Sequence, residues 1–120
     1  MQPIRMEKKL KEARFALKNM FDVLEEDILE MKSRKQNNVH ARMFYNYYLL
    51  KKFNIKHNHI RNHIKGMHHA TSIYLKNKLE NEMEIYDSVA MQWKTFLFFA
   101  DYQEWKQLDD IKEMQTKYII

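Results

Sequence analysis

Residues 64 to 80 read "IKGMHHATSIYLKNKLE" and contain Gly66, the only glycine of the 120-residue chain, with His68 and His69 close behind it. A residue without a Cβ takes positive φ at little cost, so a chain that otherwise avoids glycine spends it where the backbone turns sharply. Upstream, Ile60 and Ile64 fall on one face of a short helix expected around 57 to 64. Downstream, a helix expected from about His68 repeats Leu75, Leu79 and Met83 at fourfold spacing. Helix, tight turn, helix is the connectivity of a helix-turn-helix unit.

The rest of the chain reads as all-α. One Gly and one Pro leave almost no turn chemistry for hairpins, while Met, Leu, Lys, Glu and Ile recur at helical spacing. The length suits a single domain over 1–120. Residues 1–31 carry an amphipathic helix from about residue 4, with Leu10, Leu17, Leu24 and Met31 at sevenfold spacing and Phe21 and Ile28 beside them. That seam is expected to pack on its own domain, with a dimerising coiled coil as the alternative. The polar, basic stretch "KSRKQNN" at 32–38 predicts a solvated loop. Helical periodicity resumes over 40–53, through Ala41, Phe44, Tyr45, Tyr48 and Leu49, and breaks near Asn54. Residues 83–120 predict an acidic helical extension striped by Ile85, Val89, Trp93, Phe96 and Ala100 and continued by Trp105, Leu108 and Ile111. Within it "FLFFA" at 96–100 is apolar all round, to be covered by the first helix or by another chain. The N-terminal helix and residues 96–100 are therefore the places for a homodimer or a protein partner.

Charge divides the chain more sharply than its net value of +5 suggests. Residues 1–31 hold six Lys or Arg and seven acids, and residues 79–120 hold four and nine. Between them, residues 32–78 carry eleven Lys or Arg, all six histidines, and no Asp or Glu. A window this long without a carboxylate implies a polyanionic partner, and nucleic acid leads. Tyr45, Tyr47, Tyr48 and Tyr74 would suit stacking on single-stranded bases, but their helical spacing makes core packing the commoner explanation.

Other chemistry is poorly provided for. Zero cysteines exclude disulfides, thiolate catalysis and cysteine-based zinc sites. His59 and His63 stand one helical turn apart with His57 nearby, yet zinc sites lacking cysteine usually recruit a carboxylate and the window has none, so no metal is expected. No carboxylate orients an imidazole and no glycine-rich loop cradles a phosphate, so neither an enzyme nor a cofactor is expected. No apolar run approaches the ~20 residues of a membrane span, and the first residues lack a secretory apolar core. The expectation is a chain with no membrane partner, cytoplasmic and nucleoid-associated.

A recognition helix presents its first turns to base edges in the major groove, and there small or hydrogen-bonding side chains without negative charge are wanted. "MHHATS" at 67–72 supplies two imidazoles, two hydroxyls and a methyl. At these residues the chain resembles the C-terminal DNA-binding domain of the bacterial replication initiator DnaA, a helix-turn-helix module related in shape to the Trp repressor. That family's glycine turn, Arg-Asp-His-Thr-Thr core and Lys-Ile-Glu type ending are matched without a gap by Gly66, Met67, His68, His69, Ala70 and Thr71, then Lys78, Leu79 and Glu80. Upstream, Arg42 stands where the family has an arginine at the end of a basic loop, and the likeness spans about 32–82.

The resemblance implies a non-catalytic, sequence-specific binder of double-stranded DNA in replication or transcription control. It implies that Arg42 reaches the minor groove and that His69 and Thr71 meet a base edge and a phosphate or base. Around them, Lys32, Arg34, Lys35, Lys56, Arg61, Lys65, His68, Ala70, Tyr74, Lys76 and Lys78 are the expected DNA-contacting set, with Gly66 as the structural turn. His68 replaces the family's Asp, Ala70 its first Thr and Met67 its signature arginine, so the family's base sequence does not carry over. The family's ATPase domain has no counterpart here, since one glycine cannot build a phosphate-binding loop. The alternative is a helical adaptor whose DnaA-like motif no longer reads DNA.

Overall fold

The computed structural model describes residues 3–101, and among them all regular structure is helical. Five α-helices, α1 (Pro3–Phe21), α2 (Glu25–Leu29), α3 (Gln36–Lys52), α4 (His69–Ile85) and α5 (Asp87–Ala100), are joined by a 3-10 helix, His57–Asn62. An isolated parallel bridge between Glu30 and Lys65 is the sole β-type pairing in this region. No helix of the described residues is long and apolar enough to cross a membrane.

α3 is the axis of the fold. Every residue from Ala41 to Leu49 is buried, because α1, α2, α4 and the 3-10 helix pack around it and α5 adds aromatic contacts. A helix covered on all sides must satisfy its polar groups internally, and among the described residues no buried side-chain nitrogen or oxygen is left without a partner. The helix starts at Gln36, earlier than its apolar periodicity indicates, and Asn38 is buried in the first turn with its amide donating to Ser33 Oγ at 2.7 Å. The 32–38 stretch is thus loop only through Lys35.

The seam expected over residues 4 to 31 is interrupted. α1 stops at Phe21, where Asp22 adopts φ +54° and the Val23 N–H donates back to the Lys18 carbonyl at 3.3 Å. This left-handed termination reverses the chain, since Asp tolerates positive φ better than most side chains. Leu10 and Leu17 remain in the core, but Leu24 is 59% exposed and Met31 lies at the surface. Glu25, Glu26 and Asp27 then open α2, favoured by the positive end of its dipole, and its Ile28 is fully buried.

At the other end, Tyr86 takes an extended conformation and separates α4 from α5. Ile85, expected to start the α5 stripe, is an exposed residue ending α4. Phe96 and Ala100 are buried, and Phe96 meets Phe44, Tyr48 and Trp93 at ring separations of 5.2 to 6.2 Å. The pairs with Phe44 and Tyr48 are edge-to-face, an arrangement that contributes about 0.5–1.5 kcal/mol each beyond the area buried. α1 packs against α5, so the first helix covers the inward side of "FLFFA" and leaves Phe99 half exposed. Trp105, Leu108 and Ile111 lie outside the described residues.

Candidate nucleic-acid interface

The turn before α4 is held from two directions. α3 ends as Asn54 takes φ +55°, and the 3-10 helix follows, its His59 and His63 amides donating to Lys56 and Ile60 carbonyls at 2.9 Å. A segment reading "HNHIRN" has few strong α-formers, and Ile60 and Ile64 anchor it to the core. Next, the Lys65 N–H donates to Leu29 at 2.7 Å and the Met31 N–H donates to Lys65 at 2.9 Å, which clamps the turn to the end of α2. Gly66 sits in this clamp at φ +85°, and a Cβ there would come within 3.3 Å of Met31 Cβ. The positive φ calls for glycine, and the close approach to Met31 adds a smaller preference of the same sign. The fully buried Met67 anchors the turn, so the position where the DnaA family carries arginine is a core residue.

α4 emerges with its leading end open. His68, in extended conformation, is the N-cap residue but its side chain makes no cap hydrogen bond, and the first turn contains no acid. His68, His69 and Ala70 are exposed and Thr71 is half-buried. Ser72, the second hydroxyl of the opening stretch, points inward instead. Its Oγ donates to Asn46 Oδ1 at 2.8 Å, so it accepts from His57 Nδ1, also at 2.8 Å, while the Asn46 amide donates to the Ser72 carbonyl at 3.1 Å. This buried network sets the rotation of α4 about its axis and binds the start of the 3-10 helix to it. Burial, then the nearby charges of Lys76 and His69, hold the His57 imidazole below its ordinary range.

Arg42 is displaced from its expected role. It is 3% exposed, and its guanidinium donates to the carbonyls of Asp27 at 2.7 Å, Glu30 at 3.0 Å, and Ser33. Burial lowers its pKa, countered by Asp27, but a guanidinium so bonded remains charged. In this structure Arg42 is no minor-groove side chain; it fastens the segment 27–33 onto α3. Since Leu29 and Met31 of that segment clamp the turn, Arg42 positions α4 indirectly.

The basic residues separate into two groups. Lys32 pairs with Glu30 at 3.1 Å, Lys52 with Asp101 at 3.8 Å, and Lys51 and Lys76 share Glu80 at 3.6 and 3.2 Å. Glu80 also accepts the Tyr47 hydroxyl at 3.0 Å. Burial favours its neutral form, but the bonds from Tyr47 and Lys76 and the charges of Lys76 and Lys51 outweigh it and hold the carboxyl below its usual range. Burial, reinforced by Glu80, pushes the Tyr47 phenol up to about 12. By contrast, Lys56, Arg61 and Lys65 are exposed without a carboxylate partner among the described residues, and they lie on the 3-10 helix and turn that lead into α4. Lys78 and Tyr74 share that helix, half-buried and exposed respectively. Arg34 and Lys35 are exposed in the loop before α3, and no hydrogen bond or ion pair among the described residues links their side chains to α4.

Lys56, Arg61, Lys65 and the expected residues of α4 therefore follow one another along the turn and its helix, while Arg34 and Lys35 stand in the loop before α3, Arg42 is buried, and Lys32 and Lys76 are partly neutralised. Sequence reasoning passed over Ile73 and Asn77, both exposed on α4 beside His69 and Tyr74. Their fourfold spacing after His69 was the available signal. Tyr45, Tyr47 and Tyr48 are buried on α3 and belong to the core. Among the described residues no three His, Asp or Glu side chains gather as a metal-binding cluster. Compared with protein-family models, curated proteins and solved structures, the chain finds no match.

Proposed function

We propose that the chain is a non-catalytic double-stranded DNA-binding protein, probing the major groove with α4 and serving replication or transcription control at the nucleoid. One observation carries the reading. From Lys56 through the turn to Asn77, the exposed surface is cationic or neutral, and the carboxylate that follows most closely in sequence, Glu80, is drawn away by Tyr47 and Lys51 of α3 and Lys76 of α4. The DnaA likeness at 66–71 and 78–80 adds to it, with Met67 and Arg42 reassigned to support. His69 and Thr71 keep the roles of base and phosphate contacts, and Lys56, Arg61, Lys65 and Lys78 supply phosphate contacts.

Titration of random duplex over a range of salt concentrations tests this. If about four cations neutralise phosphates, log K falls with log salt at a slope of roughly −3.6. Salt-independent or undetectable binding favours the second reading, a helical adaptor. The observation behind that reading is the exposed apolar surface of Phe15 on α1 and Phe99 on α5, which line one groove with Ala16 and Met20.

A further inference from the structure

We infer that the outward face of α4 reads A·T base pairs, the Asn77 amide pairing with an adenine and the Ile73 side chain resting on the methyl group of a thymine. This rests on the duplex-binding reading and specifies what that site recognises. His69, Ile73 and Asn77 follow one another at four-residue spacing, with Ala70 and Tyr74 in the neighbouring row. All five are exposed, while Ser72, Leu75 and Leu79 occupy the opposite, buried side.

The chemistry of these rows selects among bases. Guanine is most often read by Arg or Lys on its O6 and N7, and cytosine by a carboxylate accepting from N4. Neither side-chain type occurs among the five residues. An asparagine amide offers the donor and acceptor that match adenine N7 and N6, and aliphatic carbon matches the thymine methyl. Ile73 is 40% exposed, apolar surface that contact with a methyl would remove from water. At about 1.5 Å rise per residue, Ile73 and Asn77 stand about 6 Å apart along the helix, less than two base-pair steps of about 3.4 Å. They therefore reach neighbouring pairs. Lys56, Arg61 and Lys65 ahead of the helix and Lys78 beside it provide the charge complement to a duplex, and Glu80, the next acid along α4, is turned toward Tyr47, Lys51 and Lys76.

The test titrates the full chain against a duplex recovered from a random pool, by fluorescence anisotropy. The same duplex is then made with single thymines replaced by deoxyuridine, which lacks only the methyl, or single adenines by 7-deazaadenine, which lacks the N7 acceptor. At one thymine the replacement should weaken binding about threefold, and at one adenine about tenfold. Ile73→Ala should be indifferent to the first and Asn77→Ala to the second. Both side chains are at the surface, and a thermal melt identical to wild type confirms that the variants fold. Replacements without effect on wild type, losses that persist in the variants, or a recovered sequence of G·C pairs alone overturn the inference while leaving duplex binding standing. Absence of salt-dependent binding to any duplex overturns both.

Discussion

The two halves of the basic window, residues 32–53 and 56–78, hold six and five Lys or Arg and no acid, yet the fold treats them differently. In the first, Arg42 is buried against backbone carbonyls, and Lys32, Lys51 and Lys52 each face a carboxylate from outside the window. In the second, Lys56, Arg61 and Lys65 remain open beside the histidines that start α4. Charge counted along a chain is thus not charge presented at a surface. Glu80 and Asp101 are distant in sequence from Lys51 and Lys52, and only packing brings them in.

The sharpest way to break this contrast is Arg42→Ala. Removing the guanidinium strands three carbonyls and frees the segment that clamps the turn, so unfolding free energy should fall by about 2–4 kcal/mol. Duplex affinity should fall with the folded fraction, and the salt slope of the folded protein should stay unchanged. A variant with wild-type melting and a slope shallower by about 0.9 would return Arg42 to the interface.

A smaller effect separates the halves directly. Lys65→Ala should leave melting unaltered and reduce the salt slope by about 0.9, whereas Lys51→Ala, whose ammonium lies 3.6 Å from Glu80, should leave the slope where it was. Equal changes from the two would erase the distinction.

The smallest expected effect is on pH. Because His57 is held below its ordinary pKa when folded, its protonation favours the unfolded chain. The stability tied to its neutral form is complete above about 6.5 and is lost as pH falls through the lowered folded value. A phosphate placed beside His57, His69 and Lys76 acts in the opposite sense, so affinity for duplex should rise about twofold over the window in which stability declines. Melting and anisotropy curves between pH 5 and 7.5 check both signs. Parallel rather than opposed trends would place the phosphates elsewhere.

Much of the fold was legible because it rests on local signals: the lone Gly66, the break at Asn54, and the apolar spacing of α1, α3 and α4. Asp22 was not, since positive φ is uncommon for any residue but glycine and the burial of Val23 behind it is set by tertiary packing. In the candidate site, the exposure of His68, His69 and Ala70 was legible, since they precede or open a helix ahead of its apolar residues. Arg42 and Ser72 were misjudged for a common reason. Each is a polar residue whose partners, a set of carbonyls in one case and Asn46 with His57 in the other, are supplied by tertiary structure and have no imprint in periodicity or charge.

The division of labour within α4 bears on how such a protein could diverge. Its inner side is fixed by Ser72, Asn46 and His57, and its entry is fixed by a glycine at φ +85°, a backbone conformation that other residues rarely adopt. Its outer side, from His68 to Asn77, carries no side chain on which the fold depends apart from those inward ones. Mutations there alter what is touched without altering how the helix is aimed. A duplicated copy of this chain could therefore present a new outer face through a few surface substitutions, each close to neutral for folding, while its framework drifted hardly at all.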